Sequence, residues 1–133
     1  MTRQASCGCG QLRVSCEGEP VRISICHCDA CQRRTGSVFG TQARFHRDQV
    51  TEIRGRSTQY SRLGDSGNRI TFHFCPSCGS TLYWTLAAVP DVMAIAVGAF
   101  GDPGFPPPRH SVYEERRHTW VFAAGELPME HME

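Results

Sequence analysis

The sequence predicts a mainly β fold of short strands with few short helices. Apolar and polar residues alternate over short segments, which is the two-residue period of half-buried strands. Clusters of glycine, proline, asparagine and aspartate separate these segments. The length of 133 residues and a composition of 40% hydrophobic and 20% charged residues fit a single domain over 1–133. Within it, about 126–133 are expected to form a flexible tail.

The first half of the chain contains short alternating segments that lead into cysteines. Residues 12–16 alternate between apolar and polar side chains and predict a strand after the first cysteine pair. Residues 21–25 repeat the pattern and end at Cys26. Residues 29–35 then predict a turn or short helix, and the glycine that follows would end it. An extended segment over 38–45 comes next.

The second half continues in the same way. Further strands are predicted at 50–53, 58–61, 70–74, 81–86 and 93–97. The loop at 63–68 is rich in turn residues and predicts a hairpin. Four prolines and two glycines exclude regular structure over 101–108, and the segment 110–122 is expected to return to the body of the fold.

The charge balance argues against two classes of partner. A formal net charge of +1 and an isoelectric point near 7.6 give no field that would attract nucleic acid or a membrane surface. No apolar run approaches the roughly 18 residues of a membrane span. All 14 basic residues are arginine, so Schiff-base chemistry on lysine is excluded. Guanidinium groups remain for recognition of anions.

Seven of the eight cysteines lie in three clusters. They are Cys7 and Cys9, then Cys26, Cys28 and Cys31, then Cys75 and Cys78. Disulfides would suit a secreted protein, but residues 1–7 are polar and no apolar leader segment precedes the first cluster. We therefore expect a cytoplasmic protein whose reduced thiols bind metal.

The first and last clusters suit one closed metal site. Cys75-Pro-Ser-Cys78-Gly has the spacing of a metal knuckle, in which two sulfurs meet one ion. Cys7-Gly-Cys9-Gly is a tighter pair, and its glycines allow the sharp bend that this spacing requires. Together they would make a structural four-cysteine zinc site, although four cysteines also accept iron.

The middle cluster suits an open site. Cys26, Cys28 and Cys31 supply three ligands, and catalytic zinc sites keep their fourth position for water or substrate. The alternative is a second structural zinc completed by a distant histidine. His27 lies between two ligands and His131 lies in the expected tail, so both are poor candidates for that role. The eighth cysteine, Cys16, is interpreted as a small buried apolar residue.

Three motifs occur in order along the chain. They are Ser6-Cys7-Gly-Cys9-Gly10, Cys26-His-Cys28-x-x-Cys31-x-x-x-Thr35-Gly36 and Phe74-Cys75-Pro-x-Cys78-Gly79-x-x-Leu82. This order resembles the glutathione-dependent formaldehyde-activating enzyme family, which also includes centromere protein V-like proteins. The resemblance implies a β-tent fold of small sheets organised around zinc. It also implies two zinc ions, a structural one on the outer cysteine pairs and an exchangeable, catalytic one on the middle three.

The activity that the resemblance implies is a carbon-sulfur lyase reaction in the synthetic direction. Glutathione and formaldehyde would condense to S-hydroxymethylglutathione, with zinc on the middle cysteines activating the thiol or polarising the aldehyde oxygen. Three alternatives stay open: a different thiol, a different small molecule, or a zinc-stabilised binding module without catalysis, as in family relatives that act as chaperones or chromosome-associated proteins.

Four further residues are candidates for contact with substrate. Arg33 and Arg34 follow the middle cluster and could pair with the carboxylates of a glutathione-like ligand, although arginines in a turn are commonly solvated. His110 and Trp120 resemble the family's C-terminal pattern and could line the pocket opposite the cysteines. The alternative for Trp120 is a place in the hydrophobic core.

Overall fold

A computed structural model describes residues 1–64, 66–121 and 130–132, and over these residues it contains eleven strands and one α-helix. The strands are β1 (Thr2–Ser6), β2 (Arg13–Glu17), β3 (Arg22–Cys26), β4 (Gly40–His46), β5 (Val50–Arg54), β6 (Thr58–Leu63), β7 (Arg69–Phe74), β8 (Thr81–Leu86), β9 (Val92–Ala96), β10 (His110–Val112) and β11 (Glu130–His131). The helix α1 is Asp29–Thr35, and short 3₁₀ turns occur at Arg47–Gln49, Val97–Phe100 and Glu114–Arg116. The predicted mainly β class is confirmed. No described helix has the length and apolar character needed to cross a membrane.

The strands form two sheets. The smaller has the order β1-β2-β5, and all of its pairs are antiparallel. The larger has the order β11-β10-β3-β4-β9-β8-β7-β6. Its pairs are antiparallel except where β10 lies parallel to β3 and to β11. The predicted hairpin at 63–68 is the connection between β6 and β7.

The main hydrophobic core lies between the two sheets. Val14 and Cys16 of β2 pack with Phe45 of β4 and Ile95 of β9, and all four are fully buried. Burial raises the pKa of Cys16 to about 11, so its thiol stays protonated. Cys16 is thus a small core residue, as predicted, and it belongs to neither of the other cysteine groups.

A second apolar cluster lies on the opposite face of the larger sheet. Successive residues of a strand point to opposite faces, so Trp84 and Ala94 face away from the main core that Tyr83 and Ile95 join. Phe72 of β7 completes this cluster, with its ring 5.5 Å from that of Trp84. Phe72 and Trp84 of this cluster form one wall of a cavity that also reaches Cys26, Cys28 and Cys31.

One segment near the N-terminus differs from the sequence-based prediction. Residues 2–6 are mostly polar and carried no strand signal, yet they pair with β2 as β1, because backbone hydrogen bonds and burial of Ala5 are sufficient there. Of the tail expected at about 126–133, the structure describes residues 130–132, in which Glu130 and His131 form β11 beside β10. The rest of that segment lies outside the described residues.

Candidate metal centres and the adjoining cavity

The outer cysteine pairs meet in space. The sulfurs of Cys7, Cys9, Cys75 and Cys78 all lie within 4.8 Å of one another, and none forms a disulfide. Cys9 Sγ is 3.7 Å from Cys7 Sγ and 3.7 Å from Cys75 Sγ. A tetrahedral zinc with Zn–S bonds of about 2.3 Å places its sulfurs about 3.8 Å apart. The four residues therefore have the chemistry and the spacing of a closed tetrahedral metal site.

Hydrogen bonds favour the thiolate, the form that binds metal, at Cys75 and Cys78. At Cys9 the Gln11 backbone N–H also favours it, but burial and the neighbouring thiols outweigh that hydrogen bond and raise the pKa to about 11. The backbone N–H groups of Leu12 and Ser77 point to Cys7 Sγ and Cys75 Sγ at 3.3 and 3.4 Å. Burial raises the pKa of Cys75, but hydrogen bonds from the Gln11 side chain and from backbone N–H groups outweigh it and lower the pKa overall. The 3.4 Å hydrogen bond between the Cys78 sulfur and the Ser80 hydroxyl is the main reason that the pKa of Cys78 falls to about 5.

Gln11 ties this centre to the loop after β5. Its Nε2 donates to Cys75 Sγ at 3.0 Å and to the carbonyl of Arg56 at 2.7 Å, and its Oε1 accepts from the Arg56 N–H at 3.0 Å. Gly55 lies directly against it, with φ of 91°. A Cβ built on Gly55 would lie 1.9 Å from the Gln11 carbonyl oxygen. Sequence analysis did not identify Gln11, because its role depends on the position of a loop more than forty residues away.

We expect Gly55→Ala to destabilise the protein and loosen the four-cysteine centre. The new methyl group would meet the Gln11 backbone and displace the side chain that holds Cys75. Gly101→Ala is the matched control, since Gly101 also has positive φ, of 60°, but nothing within 4 Å of its Cβ position. Positive φ alone costs about 1–2 kcal/mol. Thermal unfolding should show a clearly larger loss for Gly55→Ala, and equal losses would contradict the proposed contact.

The middle cluster also converges. The sulfurs of Cys26, Cys28 and Cys31 lie within 4.8 Å of one another, and all three are free. Cys26 ends β3, and Cys28 is the N-cap of α1, where its sulfur accepts a 3.3 Å hydrogen bond from the Cys31 N–H. Hydrogen bonds from the other two thiols lower the pKa of Cys28 to about 2, and the same contacts with burial raise that of Cys26.

No described histidine, cysteine or carboxylate joins these three sulfurs. His27 is fully buried and its Nε2 lies 3.1 Å from Ser111 Oγ, so it points away from the group, as predicted. His73 stacks on Tyr83, His110 pairs with Glu130, and His118 lies 2.9 Å from the Gln32 side chain. His46 is exposed at the end of β4, and it completes the histidines whose side chains the structure describes, since only the backbone of His131 is described. Within the described part of the chain, nothing supports the alternative of a site closed by histidine.

A cavity of about 380 Å³ opens onto the three cysteines. Its volume lies within the range of small-molecule sites. Phe72 and Trp84 form its apolar wall, and the Trp84 indole N–H donates to Gln42 Oε1 at 3.1 Å. Tyr113 also lines it and is the one non-glycine residue with positive φ, of 56°, in the described ranges. The three-cysteine group therefore has access to a pocket large enough for a small molecule.

The four candidate contact residues are placed differently by the structure. Arg34 lines the cavity, with its guanidinium 4.5 Å from the Trp84 ring centre. A Cβ built at Gly40 would lie 3.1 Å from Arg34 Nη2 and 3.7 Å from Cys31 Sγ, so the two side chains are neighbours.

Arg33, His110 and Trp120 do not line this cavity. Arg33 is exposed, because consecutive helix residues point in directions about 100° apart. His110 Nε2 lies 3.0 Å from the Glu130 carboxylate, and this contact is outside the cavity lining. Trp120 is 64% exposed and contacts His118 with its ring edge, so it lies neither at the cavity nor in the core.

Three cavity residues were missed from sequence. Arg22 and Arg44 face each other across β3 and β4, and Arg62 of β6 lies 5.5 Å from the Phe72 ring. The sequence does not indicate whether an arginine in a strand faces solvent or lines a cavity. Only the register of β3 against β4, and the position of the β6–β7 hairpin, would have identified them.

Comparisons with known proteins bear on this arrangement. A family model described as glutathione-dependent formaldehyde-activating enzyme matches residues 2–116. A crystal structure of a Rhodobacter sphaeroides protein is similar, with a TM-score of 0.57 and 21% identity over 78% of this chain and 91% of that chain. This second likeness supports the fold alone. No curated protein matches the chain.

Proposed function

The chain belongs to the glutathione-dependent formaldehyde-activating enzyme family, and from that premise we propose that it condenses glutathione or a similar thiol with formaldehyde. Membership implies a function related to glutathione and formaldehyde. The product would be an S-hydroxymethyl adduct of the thiol, a hemithioacetal, and the reaction that of a carbon-sulfur lyase in the synthetic direction. The observation that carries the proposal is a group of three cysteines, without a fourth described ligand, at the wall of a 380 Å³ cavity.

We propose zinc as the metal in both cysteine groups. Cys7, Cys9, Cys75 and Cys78 would hold a structural ion, since four sulfurs complete a tetrahedral shell. Cys26, Cys28 and Cys31 would hold the second. When bound there, zinc would supply a Lewis acid with one exchangeable position, suited to a soft sulfur ligand or an aldehyde oxygen. Because this chemistry needs reduced thiols, we place the protein in the cytoplasm.

In the reaction, the thiol sulfur forms a bond to the aldehyde carbon while the carbonyl π electrons move to oxygen. The proton of the thiol ends on that oxygen, so the product is a hemithioacetal and no redox partner is needed. The chain's own contribution would be to bring the two reactants together in one pocket. Phe72 and Trp84, both largely buried, limit water on one side of that pocket.

Positive charge next to the cysteines would favour the thiolate form of the thiol and the negative charge that develops on the aldehyde oxygen during addition. The Arg34 guanidinium and the Cys31 sulfur are neighbours, because both lie within 4 Å of the position that a Cβ on Gly40 would occupy. Arg62 acts on Cys28 in the same direction as the hydrogen bonds from Cys26 and Cys31, and all of these lower its pKa. Guanidinium groups placed in this way would stabilise an incoming thiolate and the oxygen on which charge develops.

Exchange spectroscopy by NMR tests this proposal. Protein prepared under reducing conditions should contain one zinc per cysteine group, and it should exchange glutathione with S-hydroxymethylglutathione faster than buffer alone. Protein from which the more labile ion has been removed is the control, and its exchange should fall to background. If both ions bind but no thiol changes exchange or perturbs either site, the chain is a zinc-stabilised binding module and the proposed reaction is wrong.

A further inference from the structure

The cavity beside the three cysteines carries an unusual concentration of positive charge. Four arginines line it: Arg22, Arg34, Arg44 and Arg62. No acidic residue is among the described residues of the lining, and none of the four arginines forms an ion pair within the described ranges. The whole chain has a formal net charge of only +1. The positive charge is therefore local to this pocket.

Two of these arginines are arranged at a cost to the fold. Arg22 and Arg44 are direct partners across β3 and β4, and like charges in that position repel each other. Burial, followed by the charge of Arg22, lowers the pKa of Arg44. A glutamine at either position would avoid this repulsion, so packing alone does not account for the pair.

Hydrogen-bond donors of the arginines are also left without partners. The Nε atoms of Arg22, Arg34 and Arg44 are buried and contact no acceptor among the described residues. Buried donors are normally satisfied, and a guanidinium is shaped to give two parallel hydrogen bonds to a carboxylate or phosphate. Three orphaned donors around one cavity indicate that an anionic ligand completes them.

The aromatic wall holds the other pair of guanidinium groups in place. Arg34 lies 4.5 Å from the Trp84 ring centre and 5.5 Å from that of Phe72. Arg62 also lies 5.5 Å from the Phe72 ring centre. A guanidinium stacked on an aromatic face keeps its N–H edge available for an anion.

We propose that this cavity selects a thiol that carries at least two anionic oxygen groups and no ammonium group. One anionic group would bind between Arg22 and Arg44, and another beside Arg34 and Arg62, nearer to the cysteines. An ammonium group would face four positive charges with no described carboxylate to balance it. This inference rests on the proposed function, in that the anionic molecule is taken to be the thiol substrate. Unmodified glutathione, which carries a free amino group, should therefore bind more weakly than a thiol of the same shape that lacks that charge.

Tryptophan fluorescence offers a direct binding test on the zinc-loaded protein. The chain has two tryptophans, and the exposed Trp120 can be replaced by phenylalanine so that Trp84, beside Arg34, is the reporter. S-methylglutathione is compared with its N-acetyl derivative, in which the ammonium charge is removed, and with inorganic pyrophosphate. We expect the N-acetyl derivative to bind about tenfold or more tightly than S-methylglutathione. Preferential binding of pyrophosphate would assign the anionic groups to phosphate, and preferential binding of the N-acetyl derivative to carboxylates.

Substitutions of single arginines locate the binding. Arg34→Gln and Arg44→Gln should each weaken binding of the better ligand about tenfold or more. Arg33→Gln removes the same charge from the same helix but outside the cavity, and it should bind as the parent does. Arg44→Lys keeps the positive charge but lacks the two parallel N–H donors of a guanidinium, so its affinity should lie between those of Arg44→Gln and the parent. Because repulsion with Arg22 is relieved, Arg44→Gln should unfold at the same temperature as the parent or higher, which a merely structural arginine would not allow.

The results separate this inference from the proposed reaction. Equal binding by parent, Arg34→Gln and Arg44→Gln would overturn the inference, as would tighter binding of S-methylglutathione than of its N-acetyl derivative, or failure of all three probes to bind. If the inference is overturned in this way but thiol exchange is still observed, the proposed function stands without the anion-selective cavity. Arginine-dependent anion binding without any thiol exchange would support the anion site and remove the reaction.

Discussion

Cys28→Ser is expected to abolish thiol–formaldehyde exchange and to leave one tightly bound zinc per chain, in the four-cysteine group. Cys28 supplies one of the three sulfurs at the cavity wall. Its sulfur is also the N-cap acceptor of α1. Serine is a favourable N-cap residue, so the helix should persist while the metal ligand is lost. The substitution therefore separates the chemistry from the fold.

Metal analysis, circular dichroism and exchange NMR on the same preparation check this prediction. Cys16→Ala is the matched control, because Cys16 is a cysteine of the core that belongs to neither metal group. It should lower stability by about 1 kcal/mol, as expected for a small truncation in a core, and keep both ions and full exchange. Exchange at the parental rate in Cys28→Ser would show that the three-cysteine group is not where the reaction occurs.

The parts of this structure that could be predicted from sequence are those specified by neighbouring residues. The alternation over 21–25 predicted β3, observed at Arg22–Cys26, because the two-residue period of a strand is local. The helix Asp29–Thr35 was expected as a turn or helix ended by glycine, and Gly36 ends it with φ of 73°. The spacing within each cysteine cluster is local for the same reason, since a Cys-x-x-Cys pair fixes half of its site over four residues, whereas the joining of the two outer pairs was expected from the number of ligands that a closed site needs.

The cavity could not be predicted because it depends on pairing between distant segments. Arg22 and Arg44 became neighbours only through the register of β3 with β4. Arg62 reaches Phe72 because the β6–β7 hairpin adds to the far edge of the sheet. Likewise, His27 finds Ser111 across 84 residues because β10 pairs in parallel with β3. Residue type gave no indication of any of these contacts.

Cys75→Ser is expected to have the largest effect on stability, and to unfold the protein rather than merely weaken it. Cys75 is fully buried in the main core, and its sulfur meets those of Cys7 and Cys9. A metal there would join segments 66 residues apart. Structural zinc contributes about 10–16 kcal/mol in small zinc-dependent domains. Whole domains are stable by only about 5–15 kcal/mol, so loss of this ion should exceed the margin.

Stepwise chelation of the parent protein should show, without any substitution, that the two ions contribute unequally to stability. The ion at the three-cysteine group adjoins an open cavity and should leave first, with little change in circular dichroism. The ion at the four-cysteine group should leave second and together with cooperative loss of β structure, because its ligands include core residues. Cys28→Ser, which makes the same chemical change at the other group, should show only the second step. A Cys75→Ser protein that keeps a thermal transition close to the parent's would mean that the apolar contacts between the two sheets are sufficient on their own, and that the four-cysteine group does not hold the fold together.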